Sequence, residues 1–136
     1  MSNIILQGVD CWIEAKNIIN ARTGAPLNVT GFTVRAVARA LYERTVLGRR
    51  RYYTHRLPRF SPVVAEWHTS PTGTQGTAIA GGVADPYRVQ LHVTPSQSSN
   101  WLCPLVSIQA EMTDPVTGYV DRIISEVYEV DFEAVR

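Results

Sequence analysis

The alternation of apolar and polar residues is most regular in the last third of the chain. From Val106 to Thr113 every second residue is apolar, which is the period of a β-strand with one face in water. A turn-forming run, Asp114–Gly118, follows, and a second extended run covers Tyr119–Phe132. The pattern therefore predicts a long antiparallel hairpin over residues 105–132 that closes the chain.

The second run of this hairpin loses its alternation at one point. Ile123 and Ile124 are adjacent and both apolar, whereas the residues from Tyr128 to Glu133 alternate regularly. One extra residue in the strand restores the pattern on both sides. The sequence thus predicts a β-bulge near Ile123 that re-aims the strand.

Shorter runs with the same period occur earlier in the chain. They occupy Gly31–Tyr42, Val63–Thr69 and Tyr87–Thr94, with a weaker run at Thr77–Ala80. Residues 1–30 have room for one or two more strands, and Thr94–Trp101 has the pattern of a single capped helical turn. Seven or eight short strands with almost no helix predict an all-β fold, an antiparallel β-sandwich.

Length and composition suit one packed domain. The chain has 136 residues, of which 45% are hydrophobic, so residues 1–136 are expected to form a single domain with its own core. No apolar run approaches the roughly 20 residues of a membrane helix. The first residues lack the cationic start of a secretory signal, so we expect synthesis in the cytosol and no membrane partner.

The two cysteines, Cys11 and Cys103, lie far apart without a CxxC motif or paired histidines. They suit free buried thiols or a disulfide, either within the chain or between subunits. A zinc site would need four ligands at suitable spacing, which the sequence does not offer. We therefore expect neither a metal nor a cofactor.

Charge is distributed unevenly although the net charge is only +1. Residues 43–59 carry six arginines and one glutamate, a net +5, whereas residues 105–136 carry seven acids and two arginines, a net −5. The basic segment also contains Tyr52 and Tyr53, and Pro58 and Pro62 mark its end. It is predicted to be a long basic loop or a protruding hairpin.

Several motifs occur in an order typical of one group of proteins. The stretch Thr23–Arg35 (TGAPLNVTGFTVR), the strand and turn Val89–Trp101 and the hairpin Met112–Ile124 resemble small immunoglobulin-like β-sandwich proteins of tailed bacteriophages and prophages. The N-terminal domain of phage baseplate upper proteins belongs to that group. The chain departs from it at Glu126, where glycine is usual, and in the longer, more basic segment 43–59. The resemblance implies an immunoglobulin-like sandwich, no catalytic residues, and a structural role in the virion, in the tail, baseplate or neck.

The residues themselves give little support to catalysis. His55, His68 and His92 are isolated, and no GxSxG, glycine-rich phosphate loop or HExxH motif occurs. We therefore expect a protein that is not an enzyme. The three tryptophans suit either a sugar-binding platform or packing in a core or interface, and their apolar surroundings favour packing. They are Trp12, Trp67 and Trp101.

The basic segment admits three interpretations: a nucleic-acid site, a solvated loop, or an arm that contacts a neighbouring subunit. The opposite charge of the C-terminal hairpin favours an arm and head-to-tail contacts between copies. The expected partners are copies of the chain and other virion proteins, with nucleic acid less favoured. For the whole chain, the alternatives are a capsid decoration protein and, in another class, a carbohydrate-binding module. The predicted interface residues are Arg49, Arg50, Arg51, Tyr52, Tyr53, Arg56, Glu126, Glu129 and Asp131.

Overall fold

The computed structural model describes residues 4–41, 43–46, 49–52, 62–69 and 77–131. These residues form ten strands and one short helix. The strands are β1 (Ile4–Leu6), β2 (Cys11–Ala15), β3 (Thr33–Leu41), β4 (Glu43–Val46), β5 (Arg49–Tyr52), β6 (Val63–His68), β7 (Ala78–Ala80), β8 (Val89–Val93), β9 (Leu105–Thr113) and β10 (Val120–Asp131), and the helix is α1 (Pro95–Ser99).

Eight of the strands form two sheets. The larger sheet has the order β1-β10-β9-β3-β6, the smaller has the order β2-β8-β7, and β4 and β5 form a separate two-stranded ribbon. The prediction of an all-β fold is confirmed. The eight strands of the two sheets agree with the predicted seven or eight, and the two ribbon strands lie inside the basic segment.

The larger sheet is not antiparallel throughout, which corrects the prediction. β1 pairs in parallel with β10, and Ile5 lies opposite Val130. Both side chains are buried. A strand of three residues is too short for its sequence pattern to predict which strand it pairs with. The burial of Ile5 against β10 therefore could not be predicted from the sequence.

The two sheets share one hydrophobic core, in a sandwich-like arrangement. Trp67 on β6 donates its indole N–H to the backbone carbonyl of His92 on β8, at 2.7 Å, and so links the sheets. Its ring meets that of Trp101 edge to face, with centroids 6.4 Å apart. Alternate residues of the predicted strands fill the space around them: Val34, Ala36, Ala38 and Ala40 on β3, and Val89, Leu91 and Val93 on β8.

The C-terminal hairpin and its bulge are confirmed. β9 pairs antiparallel with β10, and the register shifts between Arg122 and Ile124, which makes Ile123 the extra residue. Beyond the bulge, Tyr128 and Val130 turn into the core. The hairpin turn is held by Asp114, whose side-chain carboxylate accepts a hydrogen bond from the Val116 N–H at 2.8 Å.

Helix α1 has the predicted cap. The Thr94 hydroxyl accepts from the Gln97 N–H at 3.2 Å, while the Gln97 side-chain oxygen accepts from the Thr94 N–H at 3.1 Å. This reciprocal pair is a capping box. The cysteines are free, Cys103 buried and Cys11 half-buried, so no disulfide joins them within the chain. Burial raises the pKa of both thiols.

Candidate interaction surfaces

The basic segment begins as an antiparallel ribbon, so the hairpin alternative of the prediction describes it. β4 starts two residues after the end of β3, and the register pairs Glu43 with Tyr52 and Val46 with Arg49. Four of the predicted interface residues, Arg49 to Tyr52, make up β5. The other two in this segment, Tyr53 and Arg56, lie outside the described residues. We call the paired strands 43–46 and 49–52 the basic ribbon.

The register of the basic ribbon brings like charges to paired positions. Arg44 lies directly opposite Arg51 in the backbone pairing. Two like charges in a directly opposite pair destabilise an antiparallel ribbon. Contact with a negatively charged partner surface would relieve this repulsion.

The acidic residues predicted as the partner surface separate onto two faces of β10. Glu129 and Asp131 lie on its exposed face, whereas Glu126 is opposite the buried Ile108 in the register and so lies on the core-facing side. There the Tyr128 hydroxyl donates to a Glu126 carboxylate oxygen at 3.3 Å. Burial, with the Glu126 charge as a further cause, raises the pKa of Tyr128. All three acidic residues are exposed, but only Glu129 and Asp131 point to the same side of the strand.

Exposed apolar residues accompany Glu129 and Asp131. In the parallel pairing of β1 with β10, Ile4 lies beside Glu129 and Leu6 beside Asp131, and both apolar side chains are exposed. We call these four residues the acidic edge. β1 is also the outermost strand of the larger sheet. Apolar residues surrounded by charge on an edge strand are a combination that protein partners use.

The basic ribbon and the acidic edge lie at the same end of the larger sheet. Leu41, the last residue of β3, pairs with Leu105, and Leu105 pairs with Glu129. The ribbon starts at Glu43, directly beyond that row. The two oppositely charged surfaces are therefore neighbours at one end of the sheet.

The outer face of the smaller sheet carries an aromatic and polar cluster. Trp12 is 42% exposed and stacks on His92, with ring centroids 4.3 Å apart and planes within 7°. The His92 ring also makes a polar contact, since its Nε2 lies 2.5 Å from a carboxylate oxygen of Asp10. Trp67 and Trp101 are fully buried, so the three-tryptophan platform is wrong and only Trp12 remains on the surface.

Glu14 anchors the polar half of this cluster. The Gln90 side chain donates to Glu14 at 2.6 Å, the Lys16 ammonium lies 3.1 Å away and Arg88 lies 3.8 Å away. These hydrogen bonds, first that from Gln90, hold the pKa of Glu14 below its usual range. The carboxylate is therefore already engaged by three neighbours.

A cleft of about 240 Å³ lies at the opposite end of the larger sheet from the basic ribbon. We call it the end cleft. The sequence did not predict it, because residues 19–32 and 112–121 line it together and are far apart along the chain. The lining consists of Ile19, Asn20, Ala21, Arg22, Leu27, Phe32, Met112, Asp114, Thr117, Tyr119 and Asp121.

The described parts of the chain contain no group of three or more histidine, cysteine or acidic residues placed to hold a metal ion. Of the three histidines, His68 and His92 lie in β6 and β8, and His55 is outside the described residues. Among the described residues, no helix is long and apolar enough to span a membrane.

No protein-family model, curated protein or solved structure matches this chain.

Proposed function

We propose that this chain is a non-enzymatic structural component of a tailed-phage virion, in the tail, baseplate or neck, and that it works through protein–protein contacts. In this proposal the two sheets form an immunoglobulin-like sandwich that carries the contact surfaces. The observation that carries the proposal is the basic ribbon, in which Arg44 and Arg51 occupy paired positions beyond the end of β3. An acidic partner surface would relieve the repulsion between these two paired charges.

The residues of the family-like motifs build turns, which agrees with a structural role. In the Thr23–Arg35 stretch, the Asn28 side chain accepts from the Thr30 N–H at 3.0 Å, and Gly31 has a φ of +88°. In the hairpin, Gly118 has a φ of +74°. Positive φ at these glycines is what tight turns require. These turns support the proposal of a shared fold.

A protein partner fits the ribbon better than nucleic acid does. A polyanion that approached the ribbon would also approach Glu129 and Asp131, which lie at the same end of the larger sheet. Like charge there repels phosphate and weakens such binding. The neighbouring Ile4 and Leu6 add exposed apolar area, which suits a protein surface.

Incorporation into particles tests the proposal. The variant Arg49→Ala/Arg50→Ala/Arg51→Ala is expected to fold as the wild type does and to enter particles less efficiently. Arg35→Ala, on the exposed face of β3, is the control and is expected to be incorporated normally. A triple variant that enters particles as well as the control would contradict the role of the ribbon.

A carbohydrate-binding module is the second candidate, favoured by one observation. Trp12 offers an exposed aromatic ring that stacks on His92, and His92 contacts the Asp10 carboxylate. Aromatic rings with nearby polar groups are the usual platform for sugars. A glycan array tests this candidate, with Tyr87→Ala as the control because Tyr87 is exposed to a similar extent as Trp12. Glycan binding that is lost in Trp12→Ala and kept in Tyr87→Ala would favour this candidate over the first.

A further inference from the structure

The end cleft has the size and composition of a pocket for one side chain. Leu27, Phe32 and Met112 give it an apolar floor, since they belong to or pack against the core. Its volume of about 240 Å³ is below the roughly 300–1,000 Å³ of pockets that enclose drug-sized ligands. Interfaces commonly place one aromatic or arginine anchor in such a pocket.

The charged residues at the end cleft are mainly acidic. The lining contains two aspartates, Asp114 and Asp121, and one arginine, Arg22, so its net charge is −1. Within the described part of the chain, no hydrogen bond or ion pair engages the side chain of Asp121. The cleft therefore suits an apolar or aromatic anchor that is flanked by positive charge.

The basic ribbon has this chemistry. Residues 43–52 contain four arginines and one glutamate, a net +3, and β5 ends in Tyr52 next to three consecutive arginines. A tyrosine supplies a rigid aromatic ring with a polar tip, and arginine pairs well with carboxylates. The ribbon and the end cleft are complementary in both charge and composition.

Within one copy the ribbon cannot reach the cleft. β3 joins the two ends of the larger sheet and has nine residues, so the ends are about 26 Å apart at 3.3 Å per residue. Each ribbon strand has four residues, about 10 Å, and the ribbon begins beyond the far end of β3. Any contact between ribbon and cleft must therefore join two copies.

We propose that the end cleft of one copy binds the basic ribbon of the next, with Tyr52 as the aromatic anchor and β5 arginines beside Asp121. This deepens the proposed function and rests on it. The contact is head-to-tail, because the ribbon and the cleft lie at opposite ends of the sheet. Repetition of one head-to-tail contact builds a ring if the rotation closes and a filament if it does not.

Complementation between two variants tests the contact. The ribbon variant is Arg49→Glu/Arg50→Glu/Arg51→Glu, and the cleft variant is Ala21→Arg/Tyr119→Arg, which changes two exposed positions of the lining. Val116→Arg is the matched control, because this residue is 90% exposed on the same hairpin turn and does not line the cleft. Circular dichroism verifies that each variant keeps the wild-type fold, and sedimentation velocity measures its self-association.

We expect the wild type and Val116→Arg to self-associate, and the ribbon variant and the cleft variant to be monomeric when each is alone. Their self-association is expected to be weaker by about 30-fold or more, because each variant loses one anchor contact. An equal mixture of the two defective variants is expected to give heterodimers and nothing larger, because one intact ribbon and one intact cleft remain.

Two results overturn the inference. If the cleft variant assembles as the wild type does while the ribbon variant fails, the ribbon binds elsewhere, and the proposed function stands without this site. If the wild type stays monomeric at its highest soluble concentration, copies do not bind in this way. A different result would contradict the proposed function itself, namely normal incorporation of the ribbon variant into particles.

Discussion

Replacement of Gly81 tests how the end of the sandwich is built. Gly81 has a φ of +66°, and an added Cβ would lie 2.4 Å from the Thr30 hydroxyl oxygen and 2.7 Å from the Thr30 backbone nitrogen. The Gly81 N–H donates to the Arg88 carbonyl at 2.7 Å, and the Gly82 N–H donates to the Thr30 hydroxyl at 3.1 Å. The backbone therefore cannot withdraw from Thr30 without loss of these hydrogen bonds.

A matched control separates the clash from the backbone conformation. Gly8 has a similar φ of +76°, and a Cβ there would meet no atom within 4 Å. Gly8→Ala is therefore expected to lower the free energy of unfolding by about 1–2 kcal/mol, which is the penalty for an alanine in the left-handed conformation. Gly81→Ala adds overpacking against backbone atoms, typically about 1–3 kcal/mol more.

Urea denaturation, followed by tryptophan fluorescence, measures both variants. The expected gap of about 2 kcal/mol between them corresponds to roughly 6–10 °C in Tm for a chain of this length. Because Thr30 belongs to the loop between Leu27 and Phe32, Gly81→Ala is also expected to disturb the end cleft. Equal destabilisation by the two variants would refute the close approach of Gly81 to Thr30.

Two further predictions concern Trp67 and Glu14. Trp67→Phe keeps an aromatic ring and removes the donor to the His92 carbonyl, so it is expected to cost about 1–3 kcal/mol of unfolding free energy in urea. The same substitution at the exposed Trp12 should change the unfolding free energy by no more than about 0.5 kcal/mol. Similar values for the two variants would contradict the cross-sheet hydrogen bond. Hydrogen bonds from Gln90 and Lys16 lower the pKa of Glu14, so its carboxylate adds stability above its ordinary pKa that is lost as pH falls through the folded-state pKa. Glu14→Gln is expected to flatten the acid side of a plot of Tm against pH, and an unchanged acid side would exclude this contribution.

Local patterns in the sequence were sufficient for much of the fold. β3, β8, β9 and β10 alternate clearly because each has one face in the core, and the bulge at Ile123 followed from a single break in that alternation. The capping box of α1 is likewise a relation between neighbours in sequence. Features that depend on distant residues were not visible. The parallel pairing of β1 with β10 and the end cleft arise only when remote segments meet.

The acidic residues of the predicted interface do not all lie on one face of β10. Glu126 and Glu129 are three positions apart on the strand, so their side chains point to opposite faces. The alternation alone contained that information. The basic ribbon lacked apolar alternation, so the sequence left a loop and a hairpin both open, and the backbone pairing of β4 with β5 decides between them.

An electron-microscopy map of a tailed-phage particle from the same source directly tests whether this chain makes subunit contacts through its basic ribbon. We expect several copies on the tail, baseplate or neck, with residues 43–52 of each copy against a neighbouring subunit. Particles without the chain, or copies in which the ribbon faces only solvent, would contradict this expectation.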